Sequence, residues 1–336
     1  MQALVLVGGF GTRLRPLTLT RPKQMLPVGR RSMLERVVIG LRHHGVTDVV
    51  LSMGYRPDAF EQAHPDGQCA GVPLRFVVED EPLGTAGAIA FAAREAGIDD
   101  TFLVLNGDII SDFDLSALIG FHERTGAEAT IALKQVDDPS RFGVVVTDAE
   151  GRVERFVEKP PAGEAPSDLI NAGAYVVEPS LIDRVPTGRS VSIEREVFPA
   201  VVADGALRAR ADDAYWLDCG TPEALLAANA DLLSGARDDV LEVTPVGGSV
   251  AQGATVDSAW IGSGSVVESG AKVVDSVLFD GVVVEAGATI ERSLVGAGAT
   301  IGAGAQVLGM SVVGDGVEIV AGSVLDGTRV PDDDES

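Results

Sequence analysis

The sequence predicts an α/β domain with a Rossmann-like, mostly parallel sheet, followed by a left-handed parallel β-helix. Up to about residue 230, short apolar runs alternate with helical patterns, which is typical of βαβ units. After about residue 240, aromatic residues nearly vanish and a glycine-rich repeat of 17 or 18 residues begins. We therefore predict domains at residues 1–235 and 245–330, with an acidic tail at 331–336.

The first domain carries the start and stop signals of an α/β fold. Residues 32–35 form a capping box that opens a helix ending near His44. Asp114 is placed to cap a helix at 115–124, and another helix is predicted at 84–96. In sheets of this class, ligands bind at the carboxyl ends of the strands. The predicted strands cover residues 3–7, 49–51, 74–78, 102–105, 130–133, 143–146 and 174–177.

The C-terminal repeat predicts a triangular coil with three short strands per turn. Apolar residues recur every six positions, as at Ile261, Val267 and Val273, whereas a flexible glycine-rich linker lacks such a period. We expect the apolar sides of this β-helix to form an oligomerisation or interdomain surface. Of these, we predict a homo-oligomer that assembles through the β-helix. The aligned segments lie 18, 17 and 18 residues apart and start at Ser258, Ser276, Ser293 and Ser311.

Composition excludes several classes of function. Fifty acidic residues against 26 basic ones argue against binding to nucleic acid or to anionic membranes. The first apolar run starts at residue 2 or 3, without a signal peptide, so we expect a cytoplasmic protein. Cys69 and Cys219 do not form a disulfide or zinc pattern. All four histidines precede residue 123, so the β-helix lacks the histidine base expected of an acyltransferase.

The first 34 residues carry six basic side chains and no carboxylate, although the net charge of the chain is −24. A strand-like run leads into Gly8, Gly9 and Gly11, where backbone N–H groups can approach a phosphate closely. The dinucleotide fingerprint and the P-loop motif are both absent. This stretch is therefore predicted to bind a polyphosphate, with Arg13 and Lys23 among its cations.

Two aspartates are candidate ligands for magnesium. Asp108 follows the apolar run 102–105 and is therefore expected at the carboxyl end of a strand. Asp218 precedes Thr221, which is placed to cap a helix that Pro222 begins. Magnesium prefers a few carboxylates together with phosphate oxygens and water.

Lys159 is the candidate cation for a second phosphate. Because Pro160 follows it, Lys159 is expected at the end of an element, with its ammonium able to reach a phosphate. We expect Asp108, Asp218 and Lys159 to converge on the acid-free N-terminal stretch.

Together these motifs resemble the signatures of sugar-1-phosphate nucleotidylyltransferases. The matching runs are GGFGTRLRPLTLTRPK from Gly8, NGD ending at Asp108, FVEKP at 156–160 and WLDCGTP at 216–222. The resemblance implies a nucleotidyltransferase fold, magnesium, and two small-molecule substrates, a sugar 1-phosphate and a nucleoside triphosphate. The reaction would form a nucleotide sugar and pyrophosphate.

The resemblance also implies a role for each matching residue. Arg13 and Lys23 would be catalytic, and Asp108 and Asp218 would bind the metal. The sugar phosphate would contact Gly143, Glu158, Lys159 and Asn171. The nucleotide would contact Leu6, Gly8, Gly9, Gly11, Thr12, Arg13, Lys23, Glu81, Gly84 and Thr85.

The stretch EPLGTAGA, which starts at Glu81, is similar to the version of this loop in mannose-1-phosphate guanylyltransferases. Guanine presents adjacent N1–H and N2 donors that one carboxylate can accept together, so Glu81 is a candidate guanine reader, with Gly84 and Thr85 lining the base. The alternative is a run of solvated acids at 79–81. Residues 192–199 also resemble the guanylyltransferases.

The sequence favours mannose 1-phosphate and GTP as substrates and leaves other interpretations open. One is a glucose-1-phosphate uridylyl- or thymidylyltransferase. Another is a non-catalytic regulatory subunit of the same fold, which would be expected to lose the loop cations or the metal aspartates. All four of those residues are present.

Overall fold

The computed structural model describes residues 1–54, 57–237 and 247–332, so residues 333–336 of the predicted acidic tail lie outside it. The chain divides into two compact units: Met1–Gly9 with Glu35–Trp216, and Phe10–Leu34 with Leu217–Ser336. The acid-free N-terminal stretch therefore belongs mainly to the unit that contains the C-terminal repeat. No helix in the described ranges is long and apolar enough to cross a membrane.

Up to residue 237, short strands and helices alternate along the chain. The strands are β1 (Gln2–Leu6), β2 (Pro27–Val28), β3 (Arg31–Ser32), β4 (Asp48–Met53), β5 (Gln68–Cys69), β6 (Val72–Val78), β7 (Phe102–Asn106), β8 (Ile109–Ser111), β9 (Ala129–Gln135), β10 (Gly143–Thr147), β11 (Val153–Glu158), β12 (Leu169–Val177), β13 (Leu207–Ala211) and β14 (Trp216–Asp218). The helices are α1 (Met33–His43), α2 (Pro57–Ala63), α3 (Gly84–Glu95), α4 (Leu115–Thr125), α5 (Pro179–Asp183), α6 (Phe198–Ala203) and α7 (Pro222–Ser234).

The first unit is built on one large twisted sheet with the strand order β11-β10-β12-β7-β1-β4-β6-β5, and β9 joins β12 to β13. The central strands β7, β1, β4 and β6 are parallel. The strands β10, β11 and β12 add antiparallel pairs on one side. The predicted α/β fold is confirmed, and the carboxyl ends of β1, β4 and β7 share one edge.

Apolar faces of the strands and helices bury each other to form the core of this unit. Leu4 and Val104 are fully buried in the sheet, and α3 contributes Ile89 and Ala93 to the same cluster. The small side chains of α3 let its backbone approach β1 and β4 closely. The predicted cap of α4 is confirmed, because Asp114 accepts a hydrogen bond from the backbone N–H of Ala117 at 2.9 Å.

In the second unit, short strands stack into a three-sided β-helix, as the repeat predicts. Every pairing between its coils is parallel. The first face consists of β15 (Ser249–Val250), β18 (Val266–Val267), β21 (Val283–Val284), β24 (Thr300–Ile301) and β27 (Glu318–Ile319). The second consists of β16 (Thr255–Asp257), β19 (Lys272–Val274), β22 (Thr289–Glu291), β25 (Gln306–Leu308) and β28 (Val324–Asp326). The third consists of β17 (Trp260–Ile261), β20 (Val277–Leu278), β23 (Leu294–Val295), β26 (Val312–Val313) and β29 (Arg329–Val330).

The six-residue period marks the interior of the β-helix. Ile261, Val267 and Val273 are fully buried in its core. One part of the repeat alignment is wrong by one residue, because Trp260 pairs with Val277, 17 positions later. Ala259, not Ser258, is thus the counterpart of the later serines.

The later serines are buried, and their hydroxyls form hydrogen bonds with the backbone. Ser276 donates to the carbonyl oxygen of Val274 at 2.6 Å and accepts from the backbone N–H of Ser293 at 3.1 Å. A serine at this corner therefore pairs the backbone groups of successive coils.

The third face of the β-helix is covered on its outer side. Its strands alternate between inward and outward residues, and the outward ones in the first four strands are almost fully buried. This buried outer row consists of Trp260, Val277, Leu294 and Val312. The corresponding outward residues of the first face, such as Val266, are partly or fully exposed. One apolar side of the β-helix is therefore buried, unlike the first face.

Candidate active site

The NGD turn lies beside the end of β1. Leu6 and Asn106 are register partners, and the backbone N–H of Gly107 donates to the Leu6 carbonyl oxygen at 2.9 Å. A Cβ at Gly107 would lie 2.9 Å from that same oxygen, so glycine is required for the approach. Asp108, which is half-buried, therefore follows directly at the carboxyl edge of the central strands, as predicted.

The strand β12 brings a second polar turn to the same place. Gly173 has a φ of +73°, and a Cβ there would lie 2.6 Å from Asn106 Nδ2. Asn171 accepts from the Gly173 N–H at 3.0 Å and donates from Nδ2 to the Tyr175 hydroxyl at 2.9 Å. These bonds hold Asn171 beside the NGD turn, and the full burial of Tyr175 raises the pKa of its phenol.

Glu158 and Lys159 end the hairpin strand β11. Glu158 is the register partner of Gly143, where a Cβ would lie 3.0 Å from Glu158 Oε2. The Lys159 backbone has a φ of +49°, an uncommon conformation for a non-glycine residue and one found at functional sites. Its Nζ lies 3.7 Å from Glu158 Oε1 and its side chain is exposed. The sequence prediction of a lysine at an element end is therefore met.

The surroundings of Glu158 shift the pKa of its carboxyl. Burial raises its pKa most, and the nearby charge of Glu194 raises it further, while the ammonium of Lys159 lowers it. The net effect is a Glu158 carboxyl whose pKa lies above its usual range.

Glu194 is a site residue to which the sequence analysis gave no role. It lies on a π-helical turn at Ile193–Val197, a distortion that is frequent at functional sites. Its Oε2 accepts from the hydroxyls of Thr85 and Ser192, both at 2.8 Å. The similarity of residues 192–199 to guanylyltransferases was the available signal for it.

Gly84 and Thr85 contact residues 190–194. A Cβ at Gly84, whose φ is +72°, would lie 2.7 Å from the Val191 carbonyl oxygen. The Thr85 hydroxyl accepts from the backbone N–H of Ile193 at 2.8 Å and donates to Glu194. These hydrogen bonds connect the predicted base loop to Glu194, whose charge acts on Glu158.

The acidic run at 79–81 contains one side chain that is held by the loop. Glu79 accepts from the backbone N–H of Leu83 at 3.0 Å, and a Cβ at Gly54 would lie 2.8 Å from Glu79 Oε1. Burial raises the pKa of Glu79, partly offset by that N–H. Glu81, the candidate guanine reader, is exposed, so its role stays a prediction.

In the second unit, the phosphate loop, which we define as residues 10–23, turns at Gly11. Gly11 has a φ of +62°, and a Cβ there would lie 2.9 Å from Thr18 Cγ2 and 3.3 Å from Lys23 Cβ. The Thr18 hydroxyl donates to the Gly11 carbonyl oxygen at 2.8 Å. The loop is thus folded back on itself, so that Gly11 and Lys23 are neighbours.

Arg13 and Asp218 meet at Gly220. A Cβ at Gly220 would lie 2.6 Å from Arg13 Nη2 and 2.9 Å from Asp218 Oδ1. The Gly220 N–H donates to Asp218 Oδ1 at 2.9 Å, and the predicted Thr221 cap of α7 is confirmed by its bond from the Ala224 N–H at 3.2 Å. Two predicted site residues that are far apart in sequence are therefore adjacent.

The predicted site residues divide between the two units. The first unit holds Leu6, Gly8, Gly9, Glu81, Gly84, Thr85, Asp108, Gly143, Glu158, Lys159 and Asn171. The second holds Gly11, Thr12, Arg13, Lys23 and Asp218. Within residues 1–54, 57–237 and 247–332, no group of three or more histidine, cysteine or acidic side chains could hold a metal ion.

Comparisons with known proteins give two family matches. The family described as "Nucleotidyl transferase" matches residues 2–235, and the one described as "GMPPB C-terminal domain" matches residues 246–333.

Individual relatives carry informative names. A mannose-1-phosphate guanylyltransferase of Mycobacterium tuberculosis is 46% identical over 237 residues, which is 70% of this chain and 65% of that protein. The match thus spans slightly less than two thirds of that relative. A mannose-1-phosphate guanyltransferase of Schizosaccharomyces pombe is 43% identical over 78% of this chain and 73% of its own. The crystal structure of HddC from Yersinia pseudotuberculosis complexed with GMP-PN has a TM-score of 0.59 and 29% identity, covering 69% of this chain and 99% of its own.

Proposed function

Because this chain belongs to the nucleotidyl transferase family, we propose that it joins mannose 1-phosphate to GTP, forming GDP-mannose and pyrophosphate. The choice of substrates is supported by relatives with 43–46% identity that carry the name mannose-1-phosphate guanylyltransferase or guanyltransferase. The geometric observation that carries the proposal is the meeting of the Arg13 guanidinium and the Asp218 carboxylate at Gly220. A cation of the acid-free loop and a carboxylate, the type of group that binds magnesium, therefore lie close together.

The reaction is an in-line displacement at phosphorus. An oxygen of the sugar 1-phosphate attacks the α-phosphorus of the triphosphate, and the bond from that phosphorus to the bridging oxygen of the β-phosphate breaks. The electron pair leaves with pyrophosphate. No proton has to be removed from the attacking group, because an oxygen of the sugar 1-phosphate is already an anion at neutral pH. Catalysis then depends on positioning and on neutralising negative charge.

We assign Arg13 and Lys23 to the triphosphate and the leaving pyrophosphate. Both lie on the folded phosphate loop, and Gly11 packs against the stem of Lys23. Leu6, Gly8, Gly9, Gly11 and Thr12 would complete the nucleotide site through backbone contacts.

We assign Lys159 to the sugar phosphate, because its exposed ammonium stands at the end of β11. Glu158 and Asn171 would bind sugar hydroxyls, with Gly143 making room for Glu158. Glu81, Gly84 and Thr85 would contact the base.

Asp108 and Asp218 would hold Mg²⁺. Two carboxylates completed by phosphate oxygens and water form a donor set that magnesium prefers. When bound, the ion supplies charge neutralisation on the triphosphate.

The test is pyrophosphate release from the purified full chain with magnesium, over a grid of GTP, UTP, dTTP, ATP and CTP against mannose and glucose 1-phosphates. We expect the highest kcat/KM with GTP and mannose 1-phosphate, and loss of turnover in Asp108→Asn. No turnover with any pair would refute the enzyme. A preference for glucose 1-phosphate with UTP or dTTP would refute the substrate assignment.

We further propose a cytoplasmic homo-oligomer that assembles through the β-helix. Val320 and Val324 are exposed on the last coil, at 72% and 61%, and would contribute apolar contact area. Light scattering on the purified protein should give a multiple of the chain mass, and charged substitutions at both valines should return the monomer.

A further inference from the structure

The last coils of the β-helix contact the phosphate loop within the second unit. Arg329 donates from Nη1 to the Arg15 carbonyl oxygen at 3.1 Å. A Cβ added at Gly314 would lie 3.2 Å from Pro16 Cβ. The middle of the phosphate loop therefore lies directly against the end of the β-helix.

Asp315 makes the charged contact in this junction. Its Oδ2 accepts from Arg21, with distances of 2.6 Å to Nη2 and 3.1 Å to Nε, and also from the Thr20 hydroxyl. The Asp315 side chain is 11% exposed and that of Arg21 is 31% exposed. An ion pair this shielded is less weakened by water and salt than one in full solvent.

The turn of the coil explains the hydrogen bond that Asp315 Oδ1 accepts, but it does not explain the contacts of Asp315 Oδ2. Asp280 occupies the equivalent turn two coils earlier, and its Oδ1 accepts from the Ser263 N–H at 2.7 Å. Asp315 Oδ1 makes the same bond, from the Ala297 N–H at 2.7 Å. Asp280 is exposed, however, whereas Asp315 directs its other oxygen to the phosphate loop.

The contact can fix the position of the loop's cations. Arg21 lies two residues before Lys23, and Thr18 is bonded to Gly11, which packs against the Lys23 stem. A restraint on residues 20 and 21 therefore limits where Lys23 can move. Because Arg21 pairs with Asp315, its guanidinium points to the β-helix.

We propose that Asp315 is a positioning residue for the nucleoside triphosphate: it ties the phosphate loop to the β-helix through Arg21, so that Lys23 is in place before substrate binds. The inference rests on the proposed function and deepens it, because it gives the β-helix a part in triphosphate binding. If the loop holds its binding conformation for only a fraction of the time, apparent affinity falls by that fraction.

The kinetic test compares two matched variants. Asp315→Ala and Asp280→Ala each remove the same turn bond, but only the first removes the contact with the loop. We expect Asp315→Ala to raise the KM for GTP by about tenfold, as a loop that is in place a tenth of the time would. The KM for mannose 1-phosphate should not change, and Asp280→Ala should behave as the parent. An unchanged KM for GTP in Asp315→Ala, or an equal rise in Asp280→Ala, would overturn the proposal.

Arg21→Met separates the tie from direct phosphate binding. If Arg21 acts through Asp315, Arg21→Met and the double variant should each raise the KM for GTP as much as Asp315→Ala does. If the two effects add instead, Arg21 contacts the substrate and the tie is refuted.

Hydrogen exchange tests the tie without any reaction. In the substrate-free protein, backbone amides of residues 10–25 should exchange faster in Asp315→Ala than in the parent or in Asp280→Ala. Equal exchange in all three proteins would contradict the proposal. This readout also separates failures, because a parent that releases no pyrophosphate refutes the proposed function, while the exchange result still decides the tie.

Discussion

Gly220→Ala is expected to damage catalysis while leaving the fold intact. The added Cβ would lie 2.6 Å from Arg13 Nη2 and 2.9 Å from Asp218 Oδ1. Ordinary contact needs about 3.4–4 Å, so the guanidinium must shift by roughly 1 Å, a misplacement that can cost about 100-fold in rate. Arg13 is exposed and can move into solvent, and Gly220 does not have a positive φ, so the fold should tolerate the change.

The assay is kcat/KM from initial rates of pyrophosphate release, together with thermal unfolding. We expect kcat/KM to fall by about 100-fold, equivalent to about 2.7 kcal/mol of transition-state stabilisation, with little change in Tm. The control is Gly40→Ala in α1, which adds the same methyl group where nothing lies within 4 Å. Parent activity in Gly220→Ala would refute the role of the Arg13 position, and a large drop in Tm would refute the claim that the fold tolerates the methyl group.

Three further predictions follow from charges and caps. Glu194→Gln removes a charge that raises the pKa of Glu158, so the acid limb of the pH profile of kcat/KM for the sugar phosphate should move to lower pH; a limb that stays or rises contradicts the assignment. Burial raises the pKa of Glu79, so its ionisation costs stability as pH rises above the unfolded value of 4.5; Glu79→Gln should raise Tm at pH 7 but not at pH 4, and an equal effect at both pH values would argue against burial as the cause. Asp114→Ala removes the α4 cap and should lower the free energy of unfolding in urea by about 1 kcal/mol with kcat/KM unchanged.

Local periodicity made most of the fold predictable. The six-residue spacing of Ile261, Val267 and Val273 reflects burial on three faces of one coil, and the structure places all three inside. The helix predicted from the capping box at 32–35 starts at Met33 and ends at His43. The edge strand β13, with its arginines at alternate positions, was missed because that pattern carries little apolar signal.

The candidate site was predictable as residue types but not as an arrangement. Asp108 was expected at the end of a strand and lies there, because a strand end is a local property. The bond between Thr85 and Glu194 joins residues 109 positions apart, and no local pattern marks it. The predicted role of Glu81 stays a prediction, while Glu79 is the acid that the loop backbone holds.

By itself the sequence determined the two fold types, the acid-free phosphate loop and the kinds of charge that the chemistry needs, because burial periodicity and residue type are written locally along the chain. Only the tertiary structure decided which groups meet. It grouped residues 10–34 with the β-helix, brought Arg13 to Asp218 at Gly220, and paired Arg21 with Asp315 across 294 positions. Such contacts depend on how whole elements pack, and packing is settled by the shape and charge of surfaces that are distant in sequence.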